Sequence, residues 1–273
     1  DEAESFSLTI DRNVIAKNEK GSIAGATYSS VLAGVSASQI ARKEKTVDLD
    51  GTDVTFTLAE TSISGTWDLS TQAITDQAGQ VVHIDNTTIQ DVTITNNGTM
   101  WSTENNAIEF DGTTISNTAT ITNNTDATIR SDSTAIDEAA VVIKDTTGSL
   151  SINNTGTMTG PHGLLVDNAT VTFTNRGTVT GSLYDVNNAG TLTINNNQGA
   201  LTSDPLTLTG KLPTYNMLIV NTEDYGQLAV TNGTGTLDFD VADTGNLNAD
   251  AIYANVLSGV SDEQIKDLAK TFT

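Results

Sequence analysis

Ile152-Asn-Asn-Thr-Gly-Thr-Met158 and Phe173-Thr-Asn-Arg-Gly-Thr-Val179 are two versions of one pattern: an apolar residue, one or two Asn, a Gly-Thr turn, then another apolar residue. The pattern also runs through Ile94-Thr-Asn-Asn-Gly-Thr-Met100 and, without the Gly-Thr step, through Ile121-Thr-Asn-Asn-Thr-Asp-Ala-Thr-Ile129 and Ile194-Asn-Asn-Asn-Gln-Gly-Ala-Leu201. The leading apolar residues fall 27, 31, 21 and 21 positions apart. A unit of about 20 residues with slack for loops is one turn of a β-solenoid. Each unit carries a further apolar strand upstream: Val81-Val-His-Ile84, Ala107-Ile-Glu-Phe110, Ala140-Val-Val-Ile143 and Leu164-Leu-Val166. A rung therefore reads strand, turn, strand, turn, strand. Successive rungs pair in parallel about 4.8 Å apart, with Ile, Val, Leu and Phe stacked inside and Thr facing water. The expectation is an all-β chain, a right-handed single-stranded parallel β-helix (β-solenoid) with a capping module. At about eight to ten rungs the rod is about 40–50 Å long.

Composition supports this reading. Aromatic residues are 5% of the chain, Lys and Arg number 12 against 34 acidic residues, and the formal net charge is −22. Such a charge repels phosphate backbones and anionic lipid, so no nucleic-acid partner is expected. There is no Cys, which excludes a disulfide scaffold and thiolate metal sites and fits export through an oxidising periplasm. No apolar window is long enough for a membrane helix. The start at Asp1 carries no basic, apolar leader, as expected of a mature piece.

The Asn positions have a physical reason. Asn tolerates the left-handed backbone of a tight corner, and stacked Asn side chains can hydrogen-bond along the stack as a ladder. Asn96, Asn123, Asn153, Asn175 and Asn195 are expected to form this structural ladder, or alternatively an interaction stripe.

The two ends repeat each other. Residues 26–40 align without gaps to residues 251–265, identical at nine of fifteen positions. In both copies Ser-x-x-Gln (Ser36 to Gln39, Ser261 to Gln264) reads as a capping box. A short helix is expected over Asp262 to Ala269, where Ile265 and Leu268 share a face.

Tyr215-Asn-Met-Leu-Ile-Val220, Asp224-Tyr-Gly-Gln-Leu-Ala-Val230, Gly235-Thr-Leu-Asp-Phe-Asp-Val241 and Tyr253 to Val260 together resemble the C-terminal passenger region of type Va bacterial autotransporters. Val54-Thr-Phe-Thr-Leu58 and Gly65-Thr-Trp-Asp-Leu69 look like the final strands of that same region. The resemblance covers roughly 50 residues at the C-terminal end and roughly 65 at the N-terminal end. In that family the region caps the β-helix, seeds its folding as an autochaperone and precedes a membrane barrel. A cap-like copy on both sides of the rungs departs from the family, where the cap comes once. The organisation implied is a cap-like segment at 1–72, Asn/Thr-rich rungs at 73–210 and a truncated cap at 211–273, with Tyr215, Tyr225 and Tyr253 semi-buried in it. The function implied is a surface-displayed adhesin or self-association rod, on the bacterial cell surface or secreted through the outer membrane. Its partners would be copies of itself or a host-cell surface protein or glycan, with its own barrel outside this chain. A released effector that binds a host receptor is the second reading, and a carbohydrate-active β-helix enzyme the third.

No catalytic residue, cofactor or metal is expected. The two His are His83, in a strand run, and His162, in Gly160-Pro-His-Gly163, which reads as a turn. No Gly-x-Ser-x-Gly elbow or Walker-type loop occurs. An enzyme would need paired carboxylates beside an aromatic sugar platform. The candidates are Asp85, Asp111, Asp145 and Asp167, which all follow an upstream strand, with Trp67 or Trp101 as the platform. The bland alternative is a turn Asp bonded to its own backbone. Asp48-Leu-Asp-Gly-Thr-Asp53 lacks the later Glu of a calcium loop and reads as a turn. Thr-x-Thr steps at Thr93–Thr95, Thr120–Thr122 and Thr172–Thr174 resemble ice-binding arrays, but their spacing along the chain is irregular.

Overall fold

The computed structural model describes residues 80–266 apart from 86–87, 187–188, 243–245 and 249, together with the strand backbones at 6–10, 26–27, 45–49, 54–58, 63–69 and 73–77. The described chain is a parallel β-helix. An 11-stranded and a 13-stranded sheet run along it, and every pairing between named strands is parallel. The first sheet stacks Thr88–Asn96, Thr114–Asn123, Ser149–Asn154, Thr170–Asn175, Leu192–Asn196, Thr214–Met217, Leu237–Val241 and Ile265–Lys266 in that order. The second has two branches. One runs through Ala73–Gln77, Thr99–Ser102 and Thr128–Ser131. The other runs through Val82–Asp85, Ile108–Asp111 and Ala139–Lys144. The branches join at Thr157–Asp167, a strand long enough to turn a corner and pair with both.

Period-2 alternation decides which residues enter the rod. Ile94, Ile121, Ile152, Phe173, Ile194 and Tyr215 stand in direct register on the first sheet, and each is 0% exposed. The second sheet faces them with the column Val82, Ile108, Val141, Leu164, Leu183, Leu208 and Val230, and with Met100, Ile129, Met158 and Val179. Burying one such side chain is worth about 1.5–3 kcal/mol, so identical stacking on every rung supplies the hydrophobic stability that aromatic residues provide elsewhere.

The Gly-Thr step of the motif is a demand of close approach. A Cβ on Gly156 would lie 2.3 Å from the carbonyl oxygens of Asn124 and Ala127, and one on Gly177 2.1 Å from that of Gly156. The corners stack rung on rung through Thr157 N–H to Ala127 O at 2.8 Å and Thr178 N–H to Gly156 O at 2.9 Å.

Two expectations need correction. Asp262–Gln264 is a single 3-10 turn, and Ile265–Lys266 already pairs as a strand with Leu237 and Asp238. The Ser261 N–H does donate to Gln264 Oε1, at 3.1 Å, but the open edge of Leu237–Val241 captures the chain before a helix can extend. His162 lies within the strand Thr157–Asp167, beyond the corner at Gly160 and Pro161. The first sheet also passes residue 210 without interruption. The Ser36–Gln39 box and the loop after Asp48 lie outside the described residues.

Candidate functional site

The Asn ladder is present and lies inside the rod. Asn96 donates to Asn123 Oδ1 at 2.8 Å, Asn123 to Asn154 at 2.8 Å, Asn154 to Asn175 at 2.8 Å and Asn175 to Asn196 at 3.0 Å. The second amide hydrogen crosses the corner, as from Asn96 to Thr128 O at 3.0 Å and from Asn123 to Thr157 O at 3.0 Å. The side-chain oxygens also accept from corner amides, as from Gly98 N–H at 3.1 Å. All five residues are 0–1% exposed, so they offer no surface to a partner. The ladder ends where Asn196 donates to Gln198 O at 2.8 Å and meets the Tyr215 hydroxyl at 3.4 Å. Burial pushes the Tyr215 phenol far above its usual range, which keeps it neutral.

This corrects the expected set at two positions. Asn96, Asn123 and Asn175 belong to the ladder, whereas Asn153 and Asn195 point outward and their places are taken by Asn154 and Asn196. The signal was available: counted from the buried Ile or Phe, the inward residue is always the second one on. The ladder residues are also not the left-handed ones. Among the described non-glycine residues, positive φ falls to Asp126, Asp145, Asn168, Ser203, Asn232 and Asn255. Of the cap tyrosines, Tyr215 and Tyr225 are more deeply buried than expected, at 0% and 6%. Tyr253 is half-buried and packs edge-on against Tyr225, with centroids 5.1 Å apart.

The outward face of the first sheet is the feature available to a partner. On six rungs the two outward positions nearest the Asn ladder are Thr93 and Thr95, Thr120 and Thr122, Ser151 and Asn153, Thr172 and Thr174, Thr193 and Asn195, Thr214 and Asn216. All twelve are Thr, Ser or Asn, and none is charged. The Thr-x-Thr steps that look irregular along the chain are in register here, because loops absorb the differences in repeat length. Asn216 donates to Asn195 Oδ1 at 2.8 Å, and Asn195 to Thr174 Oγ1 at 3.1 Å, so this face also carries hydrogen bonds from rung to rung. It ends at Asp238 and Asp240, with Lys266 3.0 Å from Asp238.

The four candidate Asp do not form one edge. Asp85, Asp111, Lys144 and Asp167 share a register column, and Lys144 Nζ lies 3.3 Å from Asp111 Oδ2, which holds the ammonium above its usual range. Asp145 falls one step later, at φ 44°, where Asn168 donates to it at 2.9 Å. Among the described residues the carboxylate bonded to Trp101 is Asp132, which accepts the indole N–H at 2.9 Å and pairs with Arg130 at 2.5 Å; the guanidinium lies 4.6 Å from the ring centroid. The Trp67 side chain lies outside the described residues. One pair of carboxylates, Glu109 and Glu138, was missed in the sequence, because the two residues lie 29 positions apart in it. Gln80 donates to Glu109 at 2.6 Å, and Glu138 keeps a buried oxygen with no hydrogen-bond partner. Burial, then Glu109 and Asp137, raise the Glu138 carboxyl above its usual range. Among the described residues no group of three or more His, Cys, Asp and Glu could hold a metal, and no helix is long and apolar enough to cross a membrane.

No known protein family matches the chain, and neither curated proteins nor solved structures include a significant match to it.

Proposed function

We propose that this chain is a bacterial surface-displayed rod that adheres and self-associates through the outward Thr/Asn face of its 11-stranded sheet. The observation that carries this reading is the uncharged double row beside the ladder. Twelve consecutive outward positions carry no charge on a molecule of net charge −22. Two copies of such a molecule repel each other, and they do so least where neutral faces meet. Hydroxyl and amide groups spaced regularly along a stiff rod then make many weak contacts, and avidity replaces the affinity of a pocket. The passenger-like segments around Tyr215–Val260 add export through an outer membrane to this reading.

Sedimentation velocity over a wide concentration range tests it. Reversible association is expected, and it should vanish in the double variant Thr120→Asp/Thr172→Asp, which puts charge on the face without touching the core. A strict monomer at every concentration sinks self-association. One observation favours the second reading, a monomeric ligand for a host receptor. The loop at residues 132–138 carries Ile136 at 77% exposed. It is held in place by Ser131 Oγ–H to Asn105 O at 2.7 Å and Ala139 N–H to Asn106 Oδ1 at 2.8 Å. An ordered loop that presents an apolar tip is a binding feature.

A further inference from the structure

On the 13-stranded sheet the structure brings together residues that the sequence keeps apart. His162 Nε2 lies 2.9 Å from the Ile136 carbonyl oxygen, and His162 Nδ1 lies 2.6 Å from Ser182 Oγ. A carbonyl oxygen only accepts, so Nε2 carries the proton and Nδ1 holds the lone pair. The Ser182 hydroxyl must then donate to Nδ1. Burial lowers the imidazole's proton affinity, which favours the neutral ring. The Tyr184 ring packs against the imidazole with centroids 4.9 Å apart and limits its rotation. This is a nucleophile, a base and a group that orients the base, in the relation that activates a serine.

The pair sits at an irregular point of the sheet and beside apolar side chains. The pairing register slips between Thr159 and His162 and again between His162 and Leu164, so Gly163 has no register partner on the strand that carries Ser182. Beside the pair, Ala139, Val142 and Leu165 form a small apolar cluster on the outside of the sheet, with Tyr184 packed against it. His162 and Ser182 are both only half-buried.

We propose that Ser182, with His162 as general base, is an acyl-accepting nucleophile for carboxylic esters. Ser182 Oγ attacks the ester carbonyl carbon while its proton passes to His162 Nδ1. The C–O bond to the alcohol breaks, and the proton on Nδ1 goes to the leaving alkoxide. Water then repeats the sequence on the acyl-serine: it loses a proton to Nδ1, releases the carboxylic acid and restores the Ser182 hydroxyl. The Ile136 carbonyl holds the ring and stabilises the transient imidazolium. This activity is separate from adhesion and does not rest on it.

The test uses the whole chain with p-nitrophenyl acetate and, as an irreversible probe, diisopropyl fluorophosphate. One covalent adduct is expected, mapped to Ser182 by mass spectrometry. It should be absent in Ser182→Ala, and in His162→Gln its formation should slow at least about 100-fold, as loss of a general base predicts. No adduct at Ser182, or equal rates with and without His162, overturns the proposal and leaves the pair as a clasp for the loop at 132–138. If His162→Gln does not fold, a unique thiol reads the same base, because the chain has no Cys. Iodoacetamide should then alkylate Ser182→Cys at least about 10-fold faster than the exposed control Ser116→Cys, since a neighbouring base raises the thiolate fraction. Equal alkylation overturns the proposal.

Discussion

Asn153 and Asn154 are neighbours in the chain and opposites in the fold. Asn153 faces out beside Thr122 and Thr174, while Asn154 is 1% exposed and holds both neighbouring rungs of the ladder. Asn154→Ala strands the Asn123 amide, the Asn175 oxygen and the Thr178 carbonyl that it bonds at 2.8, 2.8 and 3.4 Å. A buried group left unsatisfied costs about 1–3 kcal/mol. Asn154→Ala is therefore expected to cost about 2–4 kcal/mol in urea denaturation, with Asn153→Ala within about 0.5 kcal/mol of the parent. Glu138 gives a prediction in pH. Its carboxyl is raised in the fold by burial and by Glu109 and Asp137, so folding favours the protonated form. That contribution is complete below the ordinary carboxyl range and is lost as pH rises through the raised value. Glu138→Gln should raise the melting temperature at about pH 7 and leave it unchanged near pH 3. Equal effects at both values would show that the carboxyl is not strained by its neighbours.

At the scale of the element, the corner after the Asn ladder is the unit that sets the rung. It needs a residue without Cβ where one corner rests on the next, because a Cβ on Gly156 would lie 2.3 Å from two carbonyl oxygens. Gly156→Ala should lower stability by about 1–3 kcal/mol, the usual cost of overpacking. Gly235→Ala is the control for lost glycine flexibility, because its φ is 83° and nothing lies within 4 Å of an added Cβ. A melting curve in which Gly156→Ala is the milder of the two would contradict the close-approach account. The same scale explains the missing helix after Ser261. Local capping signals were present, but a three-residue turn gains less than a strand that pairs with the open edge at Leu237.

At the scale of the molecule, charge and end closure govern behaviour. With a net charge of −22, association through the neutral face should tighten as salt is raised from about 0.01 to 0.15 M, because screening shortens the range of the repulsion from about 30 to 8 Å. Weaker association at higher salt would instead assign the contact to ion pairs. Past the Asn ladder the rungs carry aromatic side chains. Tyr215 closes the Asn ladder, Phe239 stacks 6.1 Å beyond it, and Tyr225 accepts from Ala254 N–H at 3.0 Å. An uncovered end rung leaves its N–H and C=O groups unpaired, which is why a cap is expected on this side. Folding is accordingly expected to begin at this end, and deletion of residues 215–273 should slow refolding in stopped-flow fluorescence; an unchanged rate would refute that order.

The sequence by itself determined the parallel β-helix. Recurrent Ile-x-Asn corners and upstream apolar strands leave few other ways to bury alternating Ile, Val and Leu, and period-2 geometry is a local property. It also marked the ladder, to within one residue at Asn154 and Asn196. Tertiary structure alone decided which carboxylates meet, that Lys144 interrupts the Asp85–Asp111–Asp167 column, and that His162 reaches Ser182 and the Ile136 carbonyl. Those contacts depend on the offsets between rungs. Loops of unequal length set the offsets, and a loop's length is visible in the chain while the register it produces is not.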